Sequence, residues 1–308
     1  ARMAYLLALG EDRGAWREGW RRALLDELLR VVLAAMVEPG LTDHVAERLV
    51  HRRRAEVELA IDGAGPGAAA LLAAAPRRYL LGQPAEAIAR HLAMAEPAPA
   101  RRELRLAISP EPAGGRGGAW RVDAVTRDRP GLLARLVGAL SACGLDITRA
   151  QASTWPDDLV VDVFHVAGPA PEDEPGLPDR VERMLRRAME GDLDPVRLLA
   201  ERPDGNRAGP VVVRVDAGAS PWHSTVWVEA PDRPGLLYEI LLELARHHVD
   251  VQAARVGDGA GMAADLFLVT DAAGNPLERE AADRLGTALA GRLTDPAGRQ
   301  RAGGQVRR

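Results

Sequence analysis

The chain has 308 residues, 47% of them apolar, enough for two or three domains with buried cores. Its formal net charge is −4 and all 40 basic residues are arginine, which speaks against a nucleic-acid polyanion as the main partner. A single cysteine, Cys143, excludes an internal disulfide, and no apolar run approaches the ~20 residues of a membrane span, so a cytoplasmic protein with no membrane partner is expected.

Residues 1–95 read as a helical segment. The opening Ala1-Arg2-Met3-Ala4-Tyr5-Leu6-Leu7 runs into Glu11-Asp12 without a cleavage-like site, so it is not a signal peptide but reads as mid-helix in a longer protein. Trp16, Trp20, Leu24, Leu28 and Val32 recur at intervals of four and form one apolar stripe of a core or docking face. Glu38-Pro39-Gly40 ends that helix, and Thr42-Asp43 starts another carrying His44 and His51. These histidines share a face, but no H-x-x-x-H pattern accompanies them, so surface residues rather than metal ligands are expected. Gly63 to Gly67 is a turn-rich break, a short helical stretch reaches His91, and 95–100 is a Pro/Ala linker.

Arg102 to Ser109 alternates at Leu104, Leu106 and Ile108 and reads as a strand, followed by a flexible Gly/Pro joint over 110–118. Beyond it the sequence repeats. Asp128-Arg129-Pro130-Gly131-Leu132-Leu133 recurs as Asp232-Arg233-Pro234-Gly235-Leu236-Leu237 at an offset of 104 (232 − 128). Leu145-Asp146-Ile147 is answered at the same offset by Val249-Asp250-Val251, and Asp162-Val163-Phe164 by Asp265-Leu266-Phe267, one residue short. Such self-similarity means two copies of one small fold.

In each copy an alternating strand enters the hexapeptide and then a helix, with apolar residues at Leu132, Leu136, Val137 and Leu140, and at Leu236, Ile240, Leu241 and Leu244. Asp128 and Asp232 are expected to cap the helix, Pro130 and Pro234 to fit its first turn, and Gly131 and Gly235 to admit a close approach to the backbone. Strands over 146–152 and 159–166 are followed by a helical pattern around Val181 to Met189, and strands over 250–256 and 263–270 by one around Leu277 to Leu289. Val211 to Val215 is expected to close the first copy, while the second lacks a clear final strand. The plan is α+β: two ferredoxin-like βαββαβ domains, 101–216 and 222–293, after the helical segment 1–95, with a disordered tail over 294–308.

A helix N-terminus with orphan N–H groups and a positive dipole receives anions. A single glycine suits a small carboxylate, and neither phosphate-binding glycine pattern, G-x-x-x-x-G-K-[ST] or G-x-G-x-x-G, follows these strands. Asp146 and Asp250, opening the second strands, have the charge that suits an ammonium group.

The strand, D-R-P-G-L-L, helix and L-D-I sequence resembles the ACT domain, a module that binds amino acids and other small effectors. Two in tandem, with Pro76-Arg77-Arg78-Tyr79-Leu80 and Ile88-Ala89-Arg90-His91 upstream, resemble the C-terminal part of the bifunctional uridylyltransferase/uridylyl-removing enzyme. That enzyme modifies the nitrogen-signalling PII protein and senses glutamine through its ACT pair. The resemblance implies an effector held between the first strand–helix loop and the start of the second strand, usually across a domain pair. Carried over, Asp128 to Leu133 and Asp232 to Leu237 hold a carboxylate through backbone N–H groups, and Asp146 and Asp250 face the ligand. Thr126 is polar where its counterpart Ala230 is not, so the copies need not bind equally.

The chain has no His-Asp doublet for a metal hydrolase and no Gly-Ser loop with paired aspartates for a nucleotidyltransferase. No catalytic residue, metal site or cofactor is therefore expected here; Mg²⁺ belongs to catalytic domains elsewhere in such a parent enzyme. The expected partners are glutamine or another small amino acid and, through the parent enzyme, PII. The alternatives are a stand-alone ACT-repeat binding protein and an RNA binder of the same strand order, which would need Phe164 and Phe267 on an open sheet face.

Overall fold

The computed structural model describes residues 41–61, 66–112, 117–193, 198, 209–218, 222–259 and 261–294. The expected stripe from Trp16 to Val32 and the tail beyond Thr294 lie outside them. The chain divides into two compact units, residues 1–93 and 94–308.

In the first unit, helices α1 (Leu41–Ala60), α2 (Pro66–Ala74) and α3 (Arg77–Gly82) precede α4 (Ala85–Ala95), whose last two residues begin the second unit. Ala87, Ile88, His91 and Leu92 recur at helical spacing on α4 and are buried, and Glu86 sits in its first turn, where a negative charge complements the helix dipole. Tyr79 Oη and His91 Nδ1 are 2.5 Å apart, so two residues of the upstream resemblance are a hydrogen-bonded core pair. His51 is exposed on α1, and among the described residues no group of three His, Cys, Asp or Glu could hold a metal ion.

The second unit contains both repeats. The first comprises β1 (Arg105–Glu111), β2 (Gly118–Arg127), α5 (Leu132–Ala142), β3 (Asp146–Gln151), β4 (Leu159–Gly168) and α6 (Leu177–Glu190). The second comprises β5 (Val212–Asp216), β6 (Ser224–Pro231), α7 (Leu236–Arg246), β7 (Val249–Arg255), β8 (Asp258–Gly259), β9 (Met262–Asp271) and α8 (Arg279–Thr294). One antiparallel sheet runs β1-β2-β4-β3-β7-β9-β6-β5, with the short β8 on β9. Helix α5 packs on α6 and α7, and α7 on α8, above a core that takes Val122, Ala124 and Phe164 from one repeat and Val226, Val228 and Phe267 from the other.

Both halves have the ferredoxin-like arrangement in space, as the α+β reading expected. Connectivity differs at one strand. Val212–Asp216 does not close the first repeat but pairs with β6, from Val212 opposite Glu229 to Asp216 opposite Thr225. Alternation identifies a strand but not its partner, and consecutive strands joined by a short connection pair with each other. The same hairpin logic places β1 beside β2. Each repeat thus takes its edge strand from its N-terminal side, which is why no final strand is needed after α8.

The two halves meet where β3 pairs with β7. Ala150 lies opposite Ala254, its own repeat counterpart (254 − 150 = 104), so a pseudo-twofold axis passes between them. Reciprocal bonds flank it: the Ala152 N–H donates to the Gln252 carbonyl at 3.3 Å and the Val256 N–H to the Thr148 carbonyl at 3.2 Å. Both strands are irregular at the same place, between Ile147 and Arg149 and between Val251 and Ala253. A bulge of this kind re-aims the residue it releases, and here the released residues, Thr148 and Gln252, supply the carbonyls that bind the halves together.

The RNA-binding alternative required Phe164 and Phe267 on the open face. Both are buried beneath the helices, at 1% and 0% exposure, so neither ring is available to stack on a base.

Candidate functional site

The two hexapeptide loops have one backbone geometry. Asp128 N–H donates to the Asp158 carbonyl at 2.7 Å, and Asp232 N–H to the Gly261 carbonyl at 2.9 Å. The Leu132 and Leu236 N–H groups donate back to Arg129 and Arg233 at 3.0 and 3.2 Å, closing a turn. Gly131 and Gly235 are the N-caps of α5 and α7, at φ 71° and 85°. This left-handed conformation is what glycine supplies here. A Cβ on Gly131 would meet nothing within 4 Å, so backbone conformation, not crowding, fixes the residue type.

Two expectations about the loop are corrected. The helices carry no side-chain cap: Asp128 Oδ1 accepts the N–H of its neighbour Arg129 at 2.7 Å, because glycine occupies the capping position. Pro130 and Pro234 precede the N-cap instead of lying in the first helical turn. The absence of a side-chain cap matters for chemistry. The second N–H group of each helix, on Leu133 and on Leu237, receives no capping oxygen from the N-cap residue and has no intrahelical acceptor.

A cleft of about 340 Å³ joins the second loop to the first repeat. Asp232, Arg233, Pro234, Gly235, Leu236 and Leu237 line one side; Asp146, Ile147 and the bulged Thr148 line the other. Leu145, Val256 and Ala263 add apolar wall, and Asp265 adds a carboxylate. Seven of the expected site residues, Asp146 and Asp232 to Leu237, are therefore brought together across the seam between the repeats. Arg233 is buried, and its Nη2 lies 2.7 Å from Glu239 Oε2.

The other expected residues, Asp128 to Leu133 and Asp250, form the pseudo-symmetric counterpart and do not line this cleft. Their electrostatics differ. Burial, then the charges of Arg135 and Arg102, hold Arg129 below the ordinary guanidinium range. Its Nη2 rests 2.6 Å from Met189 Sδ, and its buried Nε has no hydrogen-bond partner among the described residues. Burial, then the carboxylates of Asp128 and Asp271, push the Asp250 carboxyl upward. Leu132, like Leu236 and Leu237, belongs to the core.

Sequence reasoning missed the acids of the third strands. Asp162 on β4 is 2% exposed; burial pushes its carboxyl up to about 8, a backbone hydrogen bond at Ser153 opposes the shift, and the Asp128 charge adds to it. Asp265 on β9 is its counterpart at 1% exposure. The signal was present: each acid shares strand parity with the buried phenylalanine two residues on, so both belong to the inward face.

No protein-family model matches the chain. It is 32% identical over 162 residues to the bifunctional uridylyltransferase/uridylyl-removing enzyme of Azospirillum brasilense, covering 50% of this chain and 17% of that enzyme. It is 34% identical over 175 residues to the enzyme of that name from Xanthomonas oryzae pv. oryzae (strain MAFF 311018), covering 56% and 20%. The chain thus spans about a fifth of the length of the curated relatives it matches, consistent with a partial segment of such an enzyme. A solved structure provisionally assigned as a glycine cleavage system transcriptional repressor aligns over 57% of this chain and 91% of its own, at 17% identity and a TM-score of 0.21.

Proposed function

We propose that the two repeats form the regulatory, amino-acid-sensing part of a PII-protein uridylyltransferase/uridylyl-removing enzyme acting in the cytoplasm, with glutamine as the effector. The observation that carries this reading is the cleft across the seam, where the second hexapeptide loop faces the start of β3. The relatives at 32–34% identity support the choice of enzyme; the choice of glutamine rests on the resemblance to their ACT pair.

The chemistry follows from the two walls. The uncapped N–H group of Leu237, at the positive end of α7, suits the ligand carboxylate. Asp146 on the opposite wall suits its ammonium group. A ligand held by both repeats favours the arrangement in which they lie as they do here. A coupling of ~1–3 kcal/mol is enough to shift attached catalytic domains between states.

Isothermal titration of the chain with glutamine, other amino acids and nucleotides tests the reading. Micromolar-to-millimolar glutamine binding is expected, weakened by replacing Gly235 with a bulky residue, whose side chain opposes the positive φ. Heat from another amino acid but none from glutamine would remove glutamine as the effector. No binding of any amino acid would remove the sensing role.

A further inference from the structure

We propose that Arg102, Arg129 and Arg135 form a binding site for a small dianion, a phosphate or a dicarboxylate, beside the first hexapeptide loop. The site is separate from the amino-acid cleft, whose lining includes none of Asp128 to Leu133. Local folding brings the three arginines together. The Leu132 N–H donates to the Arg129 carbonyl and the Arg135 N–H to the Gly131 carbonyl, each at 3.0 Å, so both arginines belong to the turn that starts α5. Arg102 arrives on the preceding connection, which is fastened to the end of β2. There Thr126 Oγ1 donates to the Glu103 carbonyl at 2.7 Å and Arg127 Nε to the Pro99 carbonyl at 3.0 Å. The charges of Arg135 and Arg102 both act on the Arg129 guanidinium, so each lies within electrostatic reach of it.

Among the described residues, none of the three arginines is in an ion pair with a carboxylate. Arg129 Nη2 rests on Met189 Sδ, a weak acceptor, and its buried Nε has no hydrogen-bond partner among those residues. The neighbouring acids are turned elsewhere. Asp128 Oδ1 accepts the backbone N–H of Arg129 at 2.7 Å. The Glu103 carboxylate accepts the Ala100 N–H at 2.9 Å and Arg105 Nε at 2.7 Å. Asp157 and Asp158 meet this region through their carbonyls, which accept from Arg127 and from the Asp128 N–H. Asp162 is buried, its carboxyl pushed up to about 8. Like charges held together without an anion repel, and the positive end of α5 adds to the same potential.

The second repeat shows that the fold does not require this arrangement. At the position matching Arg135 it carries Glu239, whose Oε2 lies 2.7 Å from Arg233 Nη2. The same turn supplies a carboxylate to its arginine in one copy and a second guanidinium in the other. Arg129 and Arg135 are half-buried and Arg102 is exposed, so a ligand can approach them from solvent. Guanidinium groups present paired N–H donors that match the oxygens of phosphates and carboxylates. Three of them outweigh a single negative charge, which favours a ligand carrying two. A zwitterion would bring its ammonium group into the same positive potential and is disfavoured.

Isothermal titration of the full chain with inorganic phosphate and with malonate, at one ionic strength set by sodium chloride, tests this. Millimolar or tighter binding of at least one dianion is expected, and the tighter of the two identifies the source chemistry. Arg135→Glu gives the first loop the charge pattern of the second and should weaken that binding about tenfold or more. Arg284→Glu makes the same charge change at an exposed arginine of α8 and should leave it within about twofold. Phosphate should also raise the unfolding temperature of the unaltered chain and not that of Arg135→Glu. Binding of neither dianion overturns the proposal, as do equal losses from the two substitutions, which mark non-specific attraction. An equal loss of glutamine affinity in Arg135→Glu merges the two sites and overturns it as well. Dianion binding without glutamine binding overturns the amino-acid reading alone. Should Arg135→Glu fail to fold, Arg102→Glu, on the exposed connection, is judged by the same outcomes.

Discussion

The two repeats share a backbone but not a charge pattern. At the same turn of the helix, 104 residues apart, the first carries Arg135 and the second Glu239. Arg233 therefore sits 2.7 Å from a half-buried carboxylate, while Arg129 faces a like charge and rests on a methionine sulfur. The sheet faces opposite the core differ too. Arg121 and Asp123 form a buried pair at 2.7 Å in the first repeat, where the second has half-buried Thr225 and Trp227. Duplication fixed the geometry of the loops and left their electrostatics free to diverge, so the two half-sites are not chemically equivalent.

The largest expected effect comes from removing the partner that only the second repeat has. Glu239→Ala removes the carboxylate that lies 2.7 Å from the buried Arg233 and should cost about 3 kcal/mol in urea unfolding. Arg135→Ala, at the matching position, should change stability by no more than about 0.5 kcal/mol. Equal costs would show that the ion pair does not distinguish the repeats.

Next comes the pH dependence carried by the first repeat's buried acid. Asp162 is held neutral up to about 8 in the fold, against an ordinary value of 3.8 in the unfolded chain. Between these values the native state binds the extra proton, so this contribution is full at low pH, falls as pH rises through the window and is lost above it. Asp162→Asn should flatten that fall in a series of unfolding measurements from about pH 4 to 9. A slope unchanged by the substitution would assign it to other groups. The smallest effect is a gain. Arg135→Glu gives Arg129 the partner Arg233 already has and should raise stability by about 0.5 kcal/mol, since Arg129 is only partly buried.

Much of this was legible in the sequence because local signals agreed. The hexapeptide recurring at 104 marked both loops, and the period-two runs over 159–166 and 263–270 became β4 and β9 with nearly those bounds. Val211 to Val215 was read correctly as a strand and assigned to the wrong neighbour, since hydrophobic alternation carries no pairing information. Asp128 was expected as a cap because aspartate favours that position; the left-handed Gly131 took it instead, and only backbone torsions reveal the exchange. Asp162 and Asp265 went unread as site residues because an acid in an alternating strand ordinarily marks the wet face. The cleft itself needs the β3–β7 register, which no single segment encodes.

The antiparallel seam centred on Ala150 and Ala254 has one more implication. Two separate, identical subunits could build such a sheet, but any charge they set beside one loop they would have to set beside the other. Tethering both halves in one polypeptide lifts that obligation, and it keeps them at a high effective concentration however dilute the protein becomes. One loop can then specialise for a metabolite while its twin is released to another task, and the ligand stoichiometry per chain need not be two.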